Sequence, residues 1–171
     1  MSNAGSDPKR AVVVGSSFAG LTAAFELRKR LDPGVEVVVI EPRDKFTFIP
    51  SLIWVPFGMR EPDDVTFDLE PVYTKKGIRF INEAAKGFDL EAQTVTTTGG
   101  QEVSYDSLLL ATGPRLAFEK IDGLGPHGGY TQSVCNLEHA LLTRDAWQKF
   151  LENPGPVVVG TAQGGSCFGA A

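Results

Sequence analysis

Residues 11–20, AVVVGSSFAG, hold the three signals that decide the fold. The run of valines has no polar alternation, which is typical of a strand buried on both faces of a parallel sheet. Gly15 follows the strand at once, and from Phe18 to Leu31 apolar residues recur at helical spacing. A second apolar run, residues 35–40, predicts the next strand. Strand, glycine turn, helix and strand within about 30 residues predict a right-handed βαβ unit.

The chain up to residue 111 continues this pattern. Residues 69–76 predict a short helix, and the further strands expected are residues 78–81, 84–90, 93–98, 102–104 and 107–111. The glycine pair at residues 99–100 indicates that the middle three form a β-meander. The sequence therefore predicts a three-layer α/β fold that contains a meander.

Residues 115–130 are rich in glycine and follow Pro114, and they predict a connector between domains. Beyond it, Asn136 is suited to cap a helix over residues 137–150, and residues 157–159 predict a strand before a second glycine-rich turn. A strand and turn with no helix after them are half of a βαβ unit, so we expect a truncated piece of a longer protein. The expected organisation is a tag remnant (residues 1–6), a first domain (residues 7–114), and a connector with the start of a second domain (residues 115–171).

Composition and charge exclude several classes of protein. The formal net charge is −5, which argues against nucleic-acid binding, since that requires a basic surface. No apolar run approaches the ~20 residues that span a bilayer, and the polar start predicts no secretory signal. Two cysteines are too few for a disulfide scaffold, so a redox or catalytic role is the question they raise.

Residues 15–20 match the pattern G-x-G-x-x-G except that Ser17 stands at the second glycine. Free amides at the start of the following helix, together with the helix dipole, would bind a pyrophosphate. Glu41 ends the second strand, where the ribose-binding acid of a dinucleotide site belongs. The alternative is a tight structural turn followed by a surface glutamate.

Residues 12–24 (VVVGSSFAGLTAA), 38–43 (VVIEPR) and 105–114 (YDSLLLATGP) resemble the Rossmann-like FAD-binding half of the disulfide-reductase-like flavoproteins. The meander fits the same half, because NAD dehydrogenases usually continue with helices there. The resemblance implies FAD as cofactor and no metal. The residues that it implies for FAD are Gly15, Ser16, Ser17, Phe18, Ala19, Gly20, Glu41, Pro42, Arg43, Ala84, Ala111, Thr112 and Gly113.

Three families of this group compete: sulfide:quinone oxidoreductases, type II NADH:quinone dehydrogenases and flavocytochrome sulfide dehydrogenases. Residues 160–169 (GTAQGGSCFG) lack the spacing of a second nucleotide turn and resemble the first family. That resemblance implies a catalytic Cys167, with Cys135, 32 residues earlier, and His139 as accessory residues. The alternatives are buried structural cysteines and a histidine on the helix surface.

The resemblance implies an FAD-dependent enzyme that oxidises sulfide through a cysteine persulfide and reduces a quinone at a membrane surface. Membrane attachment would come from a missing C-terminal part, and a homo-oligomer is left open. The alternatives are a type II NADH:quinone dehydrogenase and a nucleotide-binding module without redox activity. The apolar loop at residues 50–55 would border the flavin or quinone, or pack in the core. We expect the 171-residue chain alone to be soluble and inactive and to hold FAD weakly or not at all.

Overall fold

The computed structural model describes residues 8–160 of the chain. These residues divide into two compact units. One lies within Met1–Phe46 and Phe67–Arg115, and the other lies within Thr47–Thr66 and Leu116–Ala171. The domain boundaries expected from the sequence stay a prediction.

Nine strands and three α-helices form the described chain. In chain order they are β1 (Arg10–Val14), α1 (Phe18–Arg30), β2 (Glu36–Ile40), β3 (Lys45–Thr47), β4 (Thr66–Asp68), α2 (Leu69–Lys75), β5 (Arg79–Ile81), β6 (Ala85–Asp89), β7 (Thr94–Thr97), β8 (Glu102–Ser104), β9 (Ser107–Leu110) and α3 (Leu137–Glu152). Short 3-10 helices lie at Ile49–Trp54, Pro62–Asp64 and Phe118–Lys120. None of these helices combines the length and apolar content that a membrane span requires.

The first unit is built on a four-stranded sheet of order β5-β2-β1-β9, in which every neighbouring pair is parallel. In the register, Val13 pairs with Val39 of β2 and with Leu109 of β9. The predicted βαβ unit is therefore confirmed. The strands β6, β7 and β8 form an antiparallel sheet of their own, which confirms the meander.

Three layers make up the first unit, because both faces of the parallel sheet are covered. Val13, Val37 and Val39 pack on one face against α1 and α2. Val12, Val38 and Ile40 point to the opposite face, where the meander valines of β7 and β8 cover them. Burial on both faces explains the unbroken valine runs of the sequence. The expected α/β class and its three layers are confirmed.

The second unit has a small core of its own. Leu52, Val55 and Val65 are buried with Ala140 of α3. The Arg144 side chain donates hydrogen bonds to the backbone oxygens of Val55 and Arg60 and to the Glu61 carboxylate. The apolar loop was expected to border a flavin or to pack in the core. Its residues Leu52 and Val55 are buried, while Trp54 is 45% exposed.

The strand expected at residues 157–159 is wrong. The three valines carry no strand assignment, and their exposed fractions are 62%, 94% and 63%. A β-strand needs a hydrogen-bonded neighbour, and none of the residues within 8–160 pairs with this segment. Three consecutive valines favour a strand, but no strand among the described residues forms hydrogen bonds with them.

Candidate functional site

The carboxyl ends of three neighbouring parallel strands carry most of the residues expected to bind FAD. Gly15 follows β1, Glu41 follows β2 and Ala111 follows β9. The backbone amides of these residues continue the sheet, since Gly15 N–H donates to Ile40, Glu41 N–H to Ile81 and Ala111 N–H to Val14. This edge is where ligands bind in open α/β sheets.

Two glycines make the turn after β1 compact. Gly15 has φ +101°, and a β-carbon there would lie 2.3 Å from the carbonyl oxygen of Ala111. A β-carbon on Gly20 would lie 1.9 Å from the carbonyl oxygen of Gly15. A side chain on Gly15 would therefore push the turn away from the end of β9. A side chain on Gly20 would push α1 away from the turn. The two glycines that the sequence singled out are required by packing alone.

The start of α1 has the character of an anion site. Ser17 is the N-cap residue, its side chain makes no capping hydrogen bond, and the first turn holds no acidic residue. The first amides of a helix have no partner within the helix and carry the positive end of its dipole. Ser16 is buried, Ser17 is half-buried, and Phe18 and Ala19 are exposed, so the turn faces solvent. A phosphate group fits this donor set.

Glu41 is held in a dense hydrogen-bond arrangement. Its Oε2 accepts from the Ser16 amide at 2.8 Å and from Arg43 Nη2 at 3.0 Å. Its Oε1 accepts from the amide of Arg43 at 3.0 Å and from Arg43 Nε at 2.7 Å. The residue is only 2% exposed, so the alternative of a surface glutamate is wrong.

The surroundings of Glu41 keep it ionised. Burial acts to raise its pKa, but hydrogen bonds from Arg43 and Ser16 and the charge of Arg43 outweigh burial and lower the pKa. The same pairing raises the pKa of Arg43. A carboxylate has about four acceptor positions, and all four are used here. A ribose hydroxyl would therefore bind to Glu41 only after Arg43, whose side chain is 57% exposed, swings away.

Sequence reasoning missed a second group behind the turn. The hydroxyls of Ser16 and Tyr73 are 2.6 Å apart, and Tyr73 is fully buried. Burial raises the pKa of Tyr73, the Ser16 hydrogen bond opposes this, and the Glu41 charge adds to it. The Ser16 side chain thus points into the protein, and its backbone amide is already bound to Glu41. A tyrosine 57 residues away gives no local signal for this contact.

The remaining expected FAD residues lie on loops at the same edge. Asn82 Nδ2 donates to the carbonyl oxygens of Glu41 and Pro42, which fixes the chain after β2. The Ala84 carbonyl accepts from the amide of Thr98 at the start of the meander. Thr112 and Gly113 are exposed after β9.

The two described residues expected to take part in sulfur chemistry lie in the second unit, beside the start of α3. Cys135 is a free, exposed thiol whose backbone amide donates to Ser133 Oγ. His139 is only 5% exposed, so the alternative of a surface histidine is wrong. Asn136 is the N-cap, as expected, and accepts a 2.8 Å hydrogen bond from the amide of His139. Cys167 lies outside the described residues.

His139 is a neutral, poorly satisfied imidazole. Its Nδ1 is buried and has no hydrogen-bond partner among the described residues. Burial lowers its pKa and the charge of His127 lowers it further, while Glu138 opposes them. A neutral imidazole with an unused nitrogen can accept a proton or bind a metal ion.

Comparison with known proteins gives consistent matches. The family model of the pyridine nucleotide-disulphide oxidoreductases matches residues 9–165. The chain is 40% identical to the sulfide-quinone reductase of Aquifex aeolicus, over 95% of this chain and 37% of that protein. It is 28% identical to the mitochondrial sulfide:quinone oxidoreductase of Dictyostelium discoideum, over 93% of this chain and 35% of that protein.

A more partial match is the type II NADH:quinone oxidoreductase NdhA of Mycobacterium tuberculosis, 32% identical over 64% of this chain and 23% of that protein. Among solved structures, the sulfide:quinone oxidoreductase of Aquifex aeolicus superposes with a TM-score of 0.79 and 37% identity, covering 86% of this chain and 33% of that chain. The chain thus spans just over a third of the length of the curated sulfide:quinone relatives.

Proposed function

Because the chain belongs to the pyridine nucleotide-disulphide oxidoreductase family, a family of FAD-binding flavoproteins, we propose that it is the FAD-binding part of a sulfide:quinone oxidoreductase. The observation that carries this proposal is the 40% identity to a sulfide-quinone reductase over 95% of the chain. The match to a type II NADH:quinone oxidoreductase is weaker and covers 64% of the chain.

The residues at the carboxyl edge of the parallel sheet fit the cofactor. The amides at the start of α1 would bind its pyrophosphate, and Gly15 and Gly20 allow the tight turn and the close helix packing that present these amides. Glu41 would accept hydrogen bonds from the ribose, with Arg43 moving aside to free the carboxylate oxygens. Ser17, Phe18, Ala19, Ala84, Ala111, Thr112 and Gly113 would line the same edge.

The thiols carry the proposed sulfur chemistry. A hydrosulfide ion that attacks one sulfur of a disulfide forms a new S–S bond and breaks the old one, leaving a persulfide on one cysteine and a thiolate on the other. We assign the persulfide-carrying role to Cys167, with Cys135 as an accessory thiol. The buried neutral imidazole of His139 would take up and return the proton of the sulfide. Transfer of the outer sulfur to a sulfur acceptor would leave two thiols. FAD, when bound, would supply the two-electron acceptor that re-forms the disulfide from these thiols, and a quinone would then take the two electrons.

Quinones are lipid-soluble, so the final electron transfer would take place at a membrane surface. We therefore propose that the full-length protein is a peripheral membrane protein. Flotation of the protein with phospholipid vesicles tests this part, and a protein that stays at the bottom of the gradient would contradict it.

The proposed activity is tested by comparing electron donors with the full-length protein. We expect a yellow protein that reduces decylubiquinone with sulfide and does not oxidise NADH, and we expect Cys167→Ser to abolish sulfide oxidation while the flavin spectrum is retained. NADH-dependent quinone reduction without sulfide activity would establish the type II dehydrogenase. A colourless protein that binds no FAD would contradict both.

A further inference from the structure

Three potential metal ligands come together in the second unit. His127, Glu138 and His139 each offer one ligand atom, and these atoms all lie within 4.8 Å of one another. Nε2 of His127 is 3.4 Å from Oε1 of Glu138. Two ligands of one tetrahedral zinc ion, each about 2.0–2.1 Å from the metal, are about 3.3 Å apart. The His127–Glu138 pair therefore already has the spacing of two ligands on one ion.

The third ligand is held in place and lacks a partner. His139 is 5% exposed and its ring lies between those of Phe118 and His127, with centroid distances of 5.4 and 5.2 Å. No group within residues 8–160 forms a hydrogen bond with its buried Nδ1. Buried polar atoms in native structures are nearly always satisfied, so a partner is missing at this ring.

The loop that carries His127 is folded tightly enough to present it. The Tyr130 amide donates to the carbonyl oxygen of Gly123 at 2.7 Å, which closes the loop. A β-carbon on Gly129 would lie 2.4 Å from the carbonyl oxygen of Gly125, and Gly125 itself has φ +98°. The glycines expected to form a simple connector therefore build a compact turn against α3.

The first turn of α3 fixes the other two ligands. The Asn136 side chain accepts from the amide of His139, and the Thr143 hydroxyl donates to the carbonyl oxygen of His139. Glu138 and His139 are neighbours in this turn. The helix dipole disfavours a cation at this end, and the Glu138 carboxylate supplies the negative charge that offsets it.

We propose that His127, Glu138 and His139 bind a divalent transition-metal ion, with Zn²⁺ as the best fit. Imidazole nitrogens favour zinc over magnesium or calcium, and three protein ligands leave a fourth position for water. The side chains of His127 and Glu138 are 58% and 68% exposed, so both can move toward an ion that is bound to His139. The family resemblance implied no metal, so this site was not expected from the sequence.

The test of this site does not depend on the proposed sulfide chemistry, since metal binding is measured without flavin, sulfide or quinone. A metal-bound nitrogen of His139 no longer exchanges a proton, so the two roles of this residue would exclude each other at any moment.

Zinc binding tests the proposal directly. The tag-free chain carries Cys135→Ser and Cys167→Ser, because thiols would bind zinc by themselves, and Zn²⁺ is titrated in competition with a chromophoric chelator. We expect one equivalent to bind. We expect His127→Ala and Glu138→Gln each to weaken binding at least tenfold, and Zn²⁺ to raise the melting temperature of the parent chain more than that of either variant.

Glu152→Gln is the matched control, since Glu152 is exposed at the other end of α3 and should bind zinc like the parent. Both ligand variants replace exposed side chains, and circular dichroism checks that they fold. The proposal is overturned if the parent binds no zinc, or if His127→Ala and Glu138→Gln bind it as tightly as the parent does.

Discussion

The Glu41 carboxylate, at the end of β2, accepts a 2.8 Å hydrogen bond from the backbone amide of Ser16, in the turn after β1. The contact ties two neighbouring strand ends together at the proposed cofactor site. Glu41 is thus a structural residue of the turn as well as a candidate ribose ligand. Its substitution should affect the fold and the cofactor together.

We expect Glu41→Gln to lower the free energy of unfolding of the chain by about 1.5–3 kcal/mol, because hydrogen bonds to a charged group are lost. FAD affinity should fall in the same variant. Urea unfolding of the chain measures the first effect, and a flavin titration of the full-length protein measures the second. Glu26→Gln, on the exposed side of α1, is the control. Unchanged FAD affinity would remove Glu41 from the proposed binding site, whatever its effect on stability.

The stability of the chain should depend on pH through the same carboxylate. The pKa of Glu41 in the folded chain is lowered from its usual value of 4.5, since the bonds from Arg43 and Ser16 outweigh burial. A lowered pKa stabilises the fold above the unfolded-state value, and the contribution disappears as pH falls through the folded-state pKa. The stability gap, which is the difference in free energy of unfolding between wild type and Glu41→Gln, should therefore be largest near neutral pH and disappear in acid.

Urea unfolding at a series of pH values measures this gap. Glu36 also has a lowered pKa, because bonds from Arg10 and Arg79 outweigh its burial. Its contribution is present in both proteins and cancels in the difference. A gap that stays constant from neutral pH into acid would contradict the assignment to Glu41.

Gly20 tests the packing of the turn without the complication of an unusual φ angle. Alanine normally favours a helix over glycine, but a β-carbon here would meet a backbone oxygen at 1.9 Å. Since backbone gives way less easily than a side chain, we expect Gly20→Ala to cost about 1–3 kcal/mol. Gly34→Ala is the control, because nothing lies within 4 Å of its β-carbon. Equal melting temperatures for the two variants would contradict the close packing.

The βαβ unit could be predicted from the sequence because its signals are local. The valine runs, the glycine turn and the helical spacing placed β1, α1 and β2 within a residue or two of their observed bounds. The role of Glu41 was only half predictable. Its position at a strand end is local information, whereas its burial depends on Arg43 and Ser16 folding around it.

Contacts between distant segments were not predictable. His127 is 12 residues from His139, and their approach depends on how the glycines on both sides of His127 turn the chain. The strands β3 and β4 were also not predicted, because each is a short segment that forms a strand only by pairing with the other, across a long stretch of chain.

The pair of hydroxyls on Ser16 and Tyr73 is the longest of these contacts in sequence and can be measured by a double-mutant cycle. Tyr73→Phe keeps the buried ring but leaves the Ser16 hydroxyl without its 2.6 Å partner, and Ser16→Ala does the reverse. Each variant should lose about 1–3 kcal/mol, because a buried polar group becomes unsatisfied. The double variant should lose less than the sum of the two, by about 0.5–3 kcal/mol, since residues in contact couple.

Tyr130→Phe, at a 94% exposed tyrosine, should change stability little. Strictly additive losses in the cycle would show that the two hydroxyls do not stabilise the turn through each other.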